Sequence, residues 1–186
     1  VGRTQEILFY LGQLHQQGLL DNWQVILDSP MAIEVTRVYD KWFNALDSDE
    51  IEEASANAHS ILKDFIPRLF LSVAPDESMM INKIKKGALI IAGSGMCTAG
   101  RVVNYLKAML GDPRHNVVFV GYQARGTPGA QIQQYGPGGG YVELDGERYD
   151  IKAGVHTLGG YSAHADQAGL LGFITGMRHW PQEVRL

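Results

Sequence analysis

A chain of 186 residues, 45% hydrophobic and 19% charged, is long enough for one ordinary core and too apolar to stay disordered. A formal net charge of -4 and a pI near 5.8 exclude a protein that grips nucleic acid by bulk positive charge, so any such role must rest on a local site. No apolar run approaches the roughly 20 residues of a membrane helix, and no signal-peptide pattern opens the sequence. The single cysteine, Cys97, excludes an internal disulfide framework and fits a reducing, cytoplasmic setting. Both ends read as cuts: Val1 begins as though a strand and turn had just been left, and "QEVRL" starts a strand and stops, so the expectation is a piece of something longer.

Helical and strand periods alternate along the chain. In "GRTQEILFYLGQLHQQG", Ile7, Leu8, Leu11 and Leu14 recur at helical spacing, with Thr4 a candidate N-cap and Gly18 the stop. "QVILDS" reads as a short strand, and Pro30 opens a helix predicted to carry Met31, Val35, Val38, Tyr39 and Trp42 on one face. The acidic run Asp47 to Glu53 starts a polar surface helix, "RLFLSVA" is a further short strand, and Asp76 or Ser78 begins a brief helix before Lys86. "ALIIA" has the continuous apolar texture of a strand buried on both faces. The glycine turn "GSGMCTAG" follows it, then a helix with Val102, Val103, Leu106, Met109 and Leu110 at core spacing, then the strand "NVVFVGY". Strand, turn, helix and strand make a βαβ unit, which predicts a parallel α/β sheet. "GTPGAQIQQYGPGGG" reads as a long flexible loop, Asp145-Gly146 as a hairpin turn, and "HADQAGLLGFITGM" as a last helix with Leu170, Leu171 and Ile174 on its apolar face.

Two places can carry chemistry. The "GSGM" turn precedes a helix N-terminus, whose N–H groups and dipole suit a phosphate; the alternative is a tight connection that binds nothing. It is neither of the common nucleotide loops. Thr98 stands where a dinucleotide fingerprint starting at Gly93 needs glycine, and Arg101-Val102 replaces the Lys-Ser/Thr of a P-loop aligned on Gly95 and Gly100. In "GGYSAHADQ", His164 and Asp166 sit one residue apart; His164 could ligate metal, move a proton or cap the following helix. The other histidines are scattered with no H-x-H or H-E-x-x-H cluster, so no metal site is expected in this chain and proton transfer is the better reading. Cys97 reads as a small packed residue, and Asp28-Ser29-Pro30 as the opening of a helix at a strand end.

Taken together, "GRTQE", "LDSPMA", "IIAGSGM", "AGRV", "VGYQARGTPG" and "VHTLGGYSAHADQ" occur in the same order as in the β-CASP nucleases, the RNA-processing branch of the metallo-β-lactamase superfamily. The resemblance runs from Gly2 to about Ile174. It implies an α/β fold, a mostly parallel Rossmann-like sheet flanked by helices with a β-hairpin and a helix toward the C-terminus, divided into a β-CASP domain over residues 1–154 and a C-terminal segment over 155–186 returning to a metallo-β-lactamase domain in cis. It also implies single-stranded RNA in the cleft between the domains, two zinc ions held by the metallo-β-lactamase part of the full-length protein, and none held by this chain. On that pattern His164 is the proton donor, while Ser94, Gly95 and Ser162 hold substrate phosphates. The chain alone is then inactive; a homodimer is compatible with the pattern, and a membrane is not involved. The rivals are a non-catalytic nucleotide- or RNA-binding module with a Rossmann-like sheet, and a scaffolding paralogue without metal ligands.

Overall fold

The computed structural model describes residues 3–45, 66, 68–81, 84, 87–161, 167–179 and 181–183. Helix α1 (Arg3–Gln16) buries Leu8 and Leu11 and already includes Arg3, so Thr4 lies within it and does not cap it. Gly18 adopts φ 74°, and Leu19 N–H donates to the Leu14 carbonyl at 3.0 Å, the left-handed ending that glycine allows without steric cost. Strand β1 (Gln24–Asp28) leads into α2 (Pro30–Ala45), β2 (Leu69–Leu71) and α3 (Pro75–Ile81). A Glu77 carboxylate oxygen accepts from the Val73 and Ala74 N–H groups at 2.7 and 2.9 Å, fixing the start of α3 through orphan donors that precede it.

β3 (Ala88–Ala92) completes a parallel three-stranded sheet of order β2-β1-β3, with Leu27 beside Leu71 and Asp28 beside Ala92. Alternation along β1 divides the core. Val25 and Leu27 pack with Leu8, Leu11 and Ile33 of α1 and α2, whereas Ile26 packs with Ile81 and Tyr105 on the opposite face. Helices therefore cover both faces of this sheet, as the parallel reading requires. β3 also touches both clusters, yet every residue in it is only half-buried, because it borders a single strand in the sheet.

Beyond β3 come α4 (Arg101–Met109), β4 (Asn116–Phe119), α5 (Pro128–Tyr135), the antiparallel pair β5 (Tyr141–Leu144) and β6 (Glu147–Asp150), β7 (Gly154–Thr157) and α6 (Gln167–Thr175). Asp145 and Gly146, at φ 51° and 77°, close the hairpin between β5 and β6. Their second core joins Cys97, Val103, Leu106, Leu110, Phe119, Ile132, Val142 and Leu144.

Several sequence expectations are corrected. β4 pairs in parallel with β7, not with β3, so the two strands of the supposed βαβ unit are not hydrogen-bonded neighbours; only Phe119 of β4 is buried. The glycine-rich "flexible loop" contains α5, because Thr127 caps it, Pro128 fits its first turn and Ile132 is wholly buried. The inner face of α2 is Ile33 and Thr36, while Met31, Val38 and Tyr39 are exposed; β-branched Thr36 meets Gln5 Nε2 at 2.9 Å, a polar pairing that an apolar tally does not see. On α6, Leu170 and Leu171 are exposed rather than packed, as is Phe173. The helix expected over Asp47–Phe65 lies outside the described residues.

Candidate nucleic-acid interface at the strand ends

The carboxyl ends of parallel strands are where an open α/β sheet leaves a crevice, since successive connections turn away to opposite faces there. In this chain that edge holds Asp28 at the end of β1 and Ser29 after it, Ser72 after β2 and the Gly93–Gly100 turn after β3. The segment after β4 abuts it. Gln123 Nε2 donates to the Gly95 carbonyl at 2.7 Å, Gly129 N–H donates to the Met96 carbonyl at 3.1 Å, and Ala124 N–H meets Met96 Sδ at 3.2 Å. Gln123 is buried, and a Cβ on Gly129 would collide with its side-chain oxygen and approach its Cδ to 2.8 Å. Glycine at 129 is therefore what lets the two connections interlock. α1 reaches the same region, because any side chain on Gly121 would collide with the Arg3 guanidinium.

The Gly93–Gly100 turn is held in a conformation its own residues disfavour. Ser94 and Cys97 adopt φ 35° and 58°, left-handed values that cost a non-glycine residue about 1 kcal/mol or more. Three contacts impose it. Cys97 N–H donates to the Ser94 carbonyl at 3.0 Å, the Cys97 side chain is packed in the second core, and Gln123 holds Gly95. Ser94 is half-buried with its Oγ 3.4 Å from Thr98 Oγ1, Gly95 is exposed, and no side chain caps the N-terminus of α4 at Gly100. Burial pushes the Cys97 thiol up to about 11, so it stays protonated at neutral pH and is the packed residue its surroundings suggested.

Beneath the turn lies a network that sequence reasoning missed. Asp28, wholly buried, accepts hydrogen bonds from Ser78 Oγ at 2.6 Å, from Tyr105 and from Arg101; Arg101 also donates to the Ser72 and Val73 carbonyls at 3.0 and 2.8 Å. Burial works to raise the Asp28 carboxyl, but the hydrogen bonds from Ser78, Tyr105, Ser72 and Arg101 together outweigh it and hold it below its ordinary range. Tyr105 is pushed up to about 12 by burial and by that carboxylate, so it stays a donor. Arg101 thus ties the first turn of α4 to the ends of β1 and β2, which is why it is no stand-in for a phosphate-binding lysine. An aspartate closing an apolar strand was the visible signal; its partners come from positions 44 to 77 residues away and could not be read locally.

Ser94 and Gly95 are therefore brought to one edge with Gln123, while Ser162 and His164 lie outside the described residues. β7, which leads toward them, ends at Thr157 beside Phe119 of β4, where the Leu158 N–H donates to the Phe119 carbonyl at 2.8 Å. Among the described residues no group of three or more His, Cys, Asp or Glu side chains could hold a metal ion, and no helix is long and apolar enough to cross a membrane.

With this geometry in place, similarity to known proteins is decisive. Residues 4–132 match the Beta-Casp domain. The chain belongs to the β-CASP family. Residues 148–184 of this β-CASP chain also match a domain described as the Zn-dependent metallo-hydrolase RNA specificity domain. Among its relatives, ribonuclease TTHA0252 of Thermus thermophilus is 37% identical over 177 residues, 95% of this chain and 39% of that protein. Transcription termination factor FttA is 33% identical in Pyrococcus abyssi and 34% in Thermococcus kodakarensis, each alignment covering 99% of this chain and 28% of the relative. The chain therefore spans well under half the length of these relatives. Their names fit the RNA-processing nuclease branch of the metallo-β-lactamase superfamily.

Proposed function

We propose that this chain is the substrate-binding β-CASP portion of a zinc-dependent ribonuclease that hydrolyses RNA phosphodiester bonds, and that it is inactive without a metallo-β-lactamase domain in cis. The observation that carries the reading is the interlocked pair of connections, Gly93–Gly100 and Gln123–Gly129, at the carboxyl edge of a β-CASP sheet. Backbone N–H groups at the uncapped start of α4, with the Ser94 hydroxyl, are donors of the kind that hold phosphate. A rigid donor set positions the backbone of RNA without reading its sequence.

Phosphodiester hydrolysis breaks a phosphorus–oxygen bond and leaves charge on the departing oxygen. In this reading His164, as the imidazolium, transfers its proton to that oxygen, and Ser162 joins Ser94 and Gly95 as a phosphate contact; general acid catalysis of this kind contributes roughly 10²–10⁴ in rate. The described residues do not fit zinc. In this reading the two zinc ions belong to the metallo-β-lactamase domain, and the work of this chain is to bind RNA and move a proton. Residues 1–154 form the β-CASP unit in this proposal, and 155–186 return to the other domain. The exposed Leu158, and Leu170, Leu171 and Phe173 exposed on the short helix α6, suit such a neighbour, since large apolar side chains in water are costly. The cytoplasm, where RNA and reduced Cys97 coexist, is the proposed setting.

The deciding experiment is His164→Ala in the full-length protein. RNA hydrolysis should fall to background while zinc content stays at the wild-type level; turnover that survives removes His164 from the mechanism. The isolated chain should bind no stoichiometric zinc by elemental analysis.

A further inference from the structure

The connection from β4 to α5 carries two exposed side chains that the packing of the fold leaves unused. Tyr122 is 64% exposed although its neighbour Gln123 is buried. Arg125 is exposed at the second position of a tight turn in which Thr127 N–H donates to the Ala124 carbonyl at 3.1 Å and Gly126 takes φ 85°. Thr127 Oγ1 also donates to the Ala124 carbonyl at 2.6 Å, so the turn is pinned from two directions. Arg37, Arg101, Arg114 and Arg148 each hold a carboxylate, whereas no carboxylate among the described residues pairs with Arg125. In a chain of net charge -4, a guanidinium on a rigid turn with no carboxylate partner among the described residues calls for a use.

The turn's position supplies one. Gln123 and Ala124, which lie between Tyr122 and Arg125, are the residues that clasp Gly95 and Met96. An aromatic ring and a cation with no carboxylate partner among the described residues are thus anchored beside the turn that carries Ser94. We infer that Tyr122 and Arg125 form a single-stranded RNA subsite next to the Ser94 turn, the Tyr122 ring stacking on a base and the Arg125 guanidinium contacting a backbone phosphate. This deepens, and rests on, the RNA-hydrolase reading. Stacking needs an unpaired base, because the faces of bases within a duplex are already covered. The subsite accordingly selects single strands over duplex RNA without selecting sequence. It takes no part in bond cleavage.

The test is fluorescence anisotropy with labelled single-stranded and duplex RNA, using the full-length protein across about 50 to 200 mM salt. Tyr122→Ala should weaken single-strand binding about tenfold with the salt slope unchanged, and leave duplex binding as it was. Arg125→Gln should weaken binding and lower the single-strand salt slope by about 0.7, the value of one released counterion, and Arg125→Lys should restore the slope. Both side chains are exposed, so the thermal midpoint should match wild type in each variant. If the wild type binds single strands but the variants share its affinity and slope, the subsite is refuted and the RNA reading stands. If the wild type binds no RNA, both fall. Equal losses on single strands and duplex for Tyr122→Ala would refute the stacking role.

Discussion

Gln123 Nε2 reaches across from the connection after β4 and donates to the carbonyl of Gly95 at 2.7 Å. Together with the Gly129–Met96 and Ala124–Met96 contacts, that bond joins the two segments on which the proposed RNA contacts stand, and it is made by a buried side chain whose own oxygen has no partner among the described residues.

Gln123→Leu removes the clasp while keeping a side chain of similar size. Stability should change by about 1 kcal/mol or less, since Gly95 is exposed and its carbonyl can bond to water once the donor is gone. RNA binding should nevertheless weaken several-fold, because Gly95 is released. Denaturant titration and anisotropy on one preparation separate the two effects; unchanged RNA affinity would show that the clasp does not set the site.

Ser94→Gly should raise stability. Glycine adopts the left-handed conformation freely, so relief of the φ 35° backbone should raise stability by about 0.5–1 kcal/mol, while loss of the hydroxyl weakens RNA binding. A more stable protein with poorer RNA affinity is the expected pair of readings from urea melts and binding isotherms.

Asp28 makes the fold sensitive to acid. Its folded pKa lies below the ordinary 3.8, so its contribution is whole above that value and is lost as the pH falls through the lower folded one. Asp28→Asn leaves Arg101 without its carboxylate and should cost about 3 kcal/mol at neutral pH. The deficit relative to wild type should narrow below about pH 3.8, as urea melts across that range would show.

Ile132 tests the correction from loop to core. Wholly buried on α5, it should cost about 2–5 kcal/mol when truncated to Ala; a flexible loop residue would cost almost nothing. A small change in the denaturation midpoint would contradict the packed position.

Cys97 offers a chemical probe of the same turn. Buried and held as the thiol by a pKa of about 11, it should resist iodoacetamide at mildly alkaline pH in the folded protein and react when urea unfolds it. Mass spectrometry of the carbamidomethylated chain reads the outcome directly.

The sequence determined by itself whatever depends on near neighbours. Periodicity gave α1, the short parallel strands and α4; Gly18 and Asp145-Gly146 marked a helix end and a hairpin because their backbone angles are local properties; and the ordered motifs gave the family. The tertiary structure alone decided that β4 lies beside β7, that Ile132 belongs to a core, that Asp28 is surrounded by donors from three other segments, and that Gln123 clasps Gly95. The division has a physical basis: turn chemistry and amphipathic spacing act over a few residues, whereas strand pairing and the satisfaction of buried polar groups are settled between segments that meet only when the chain has folded.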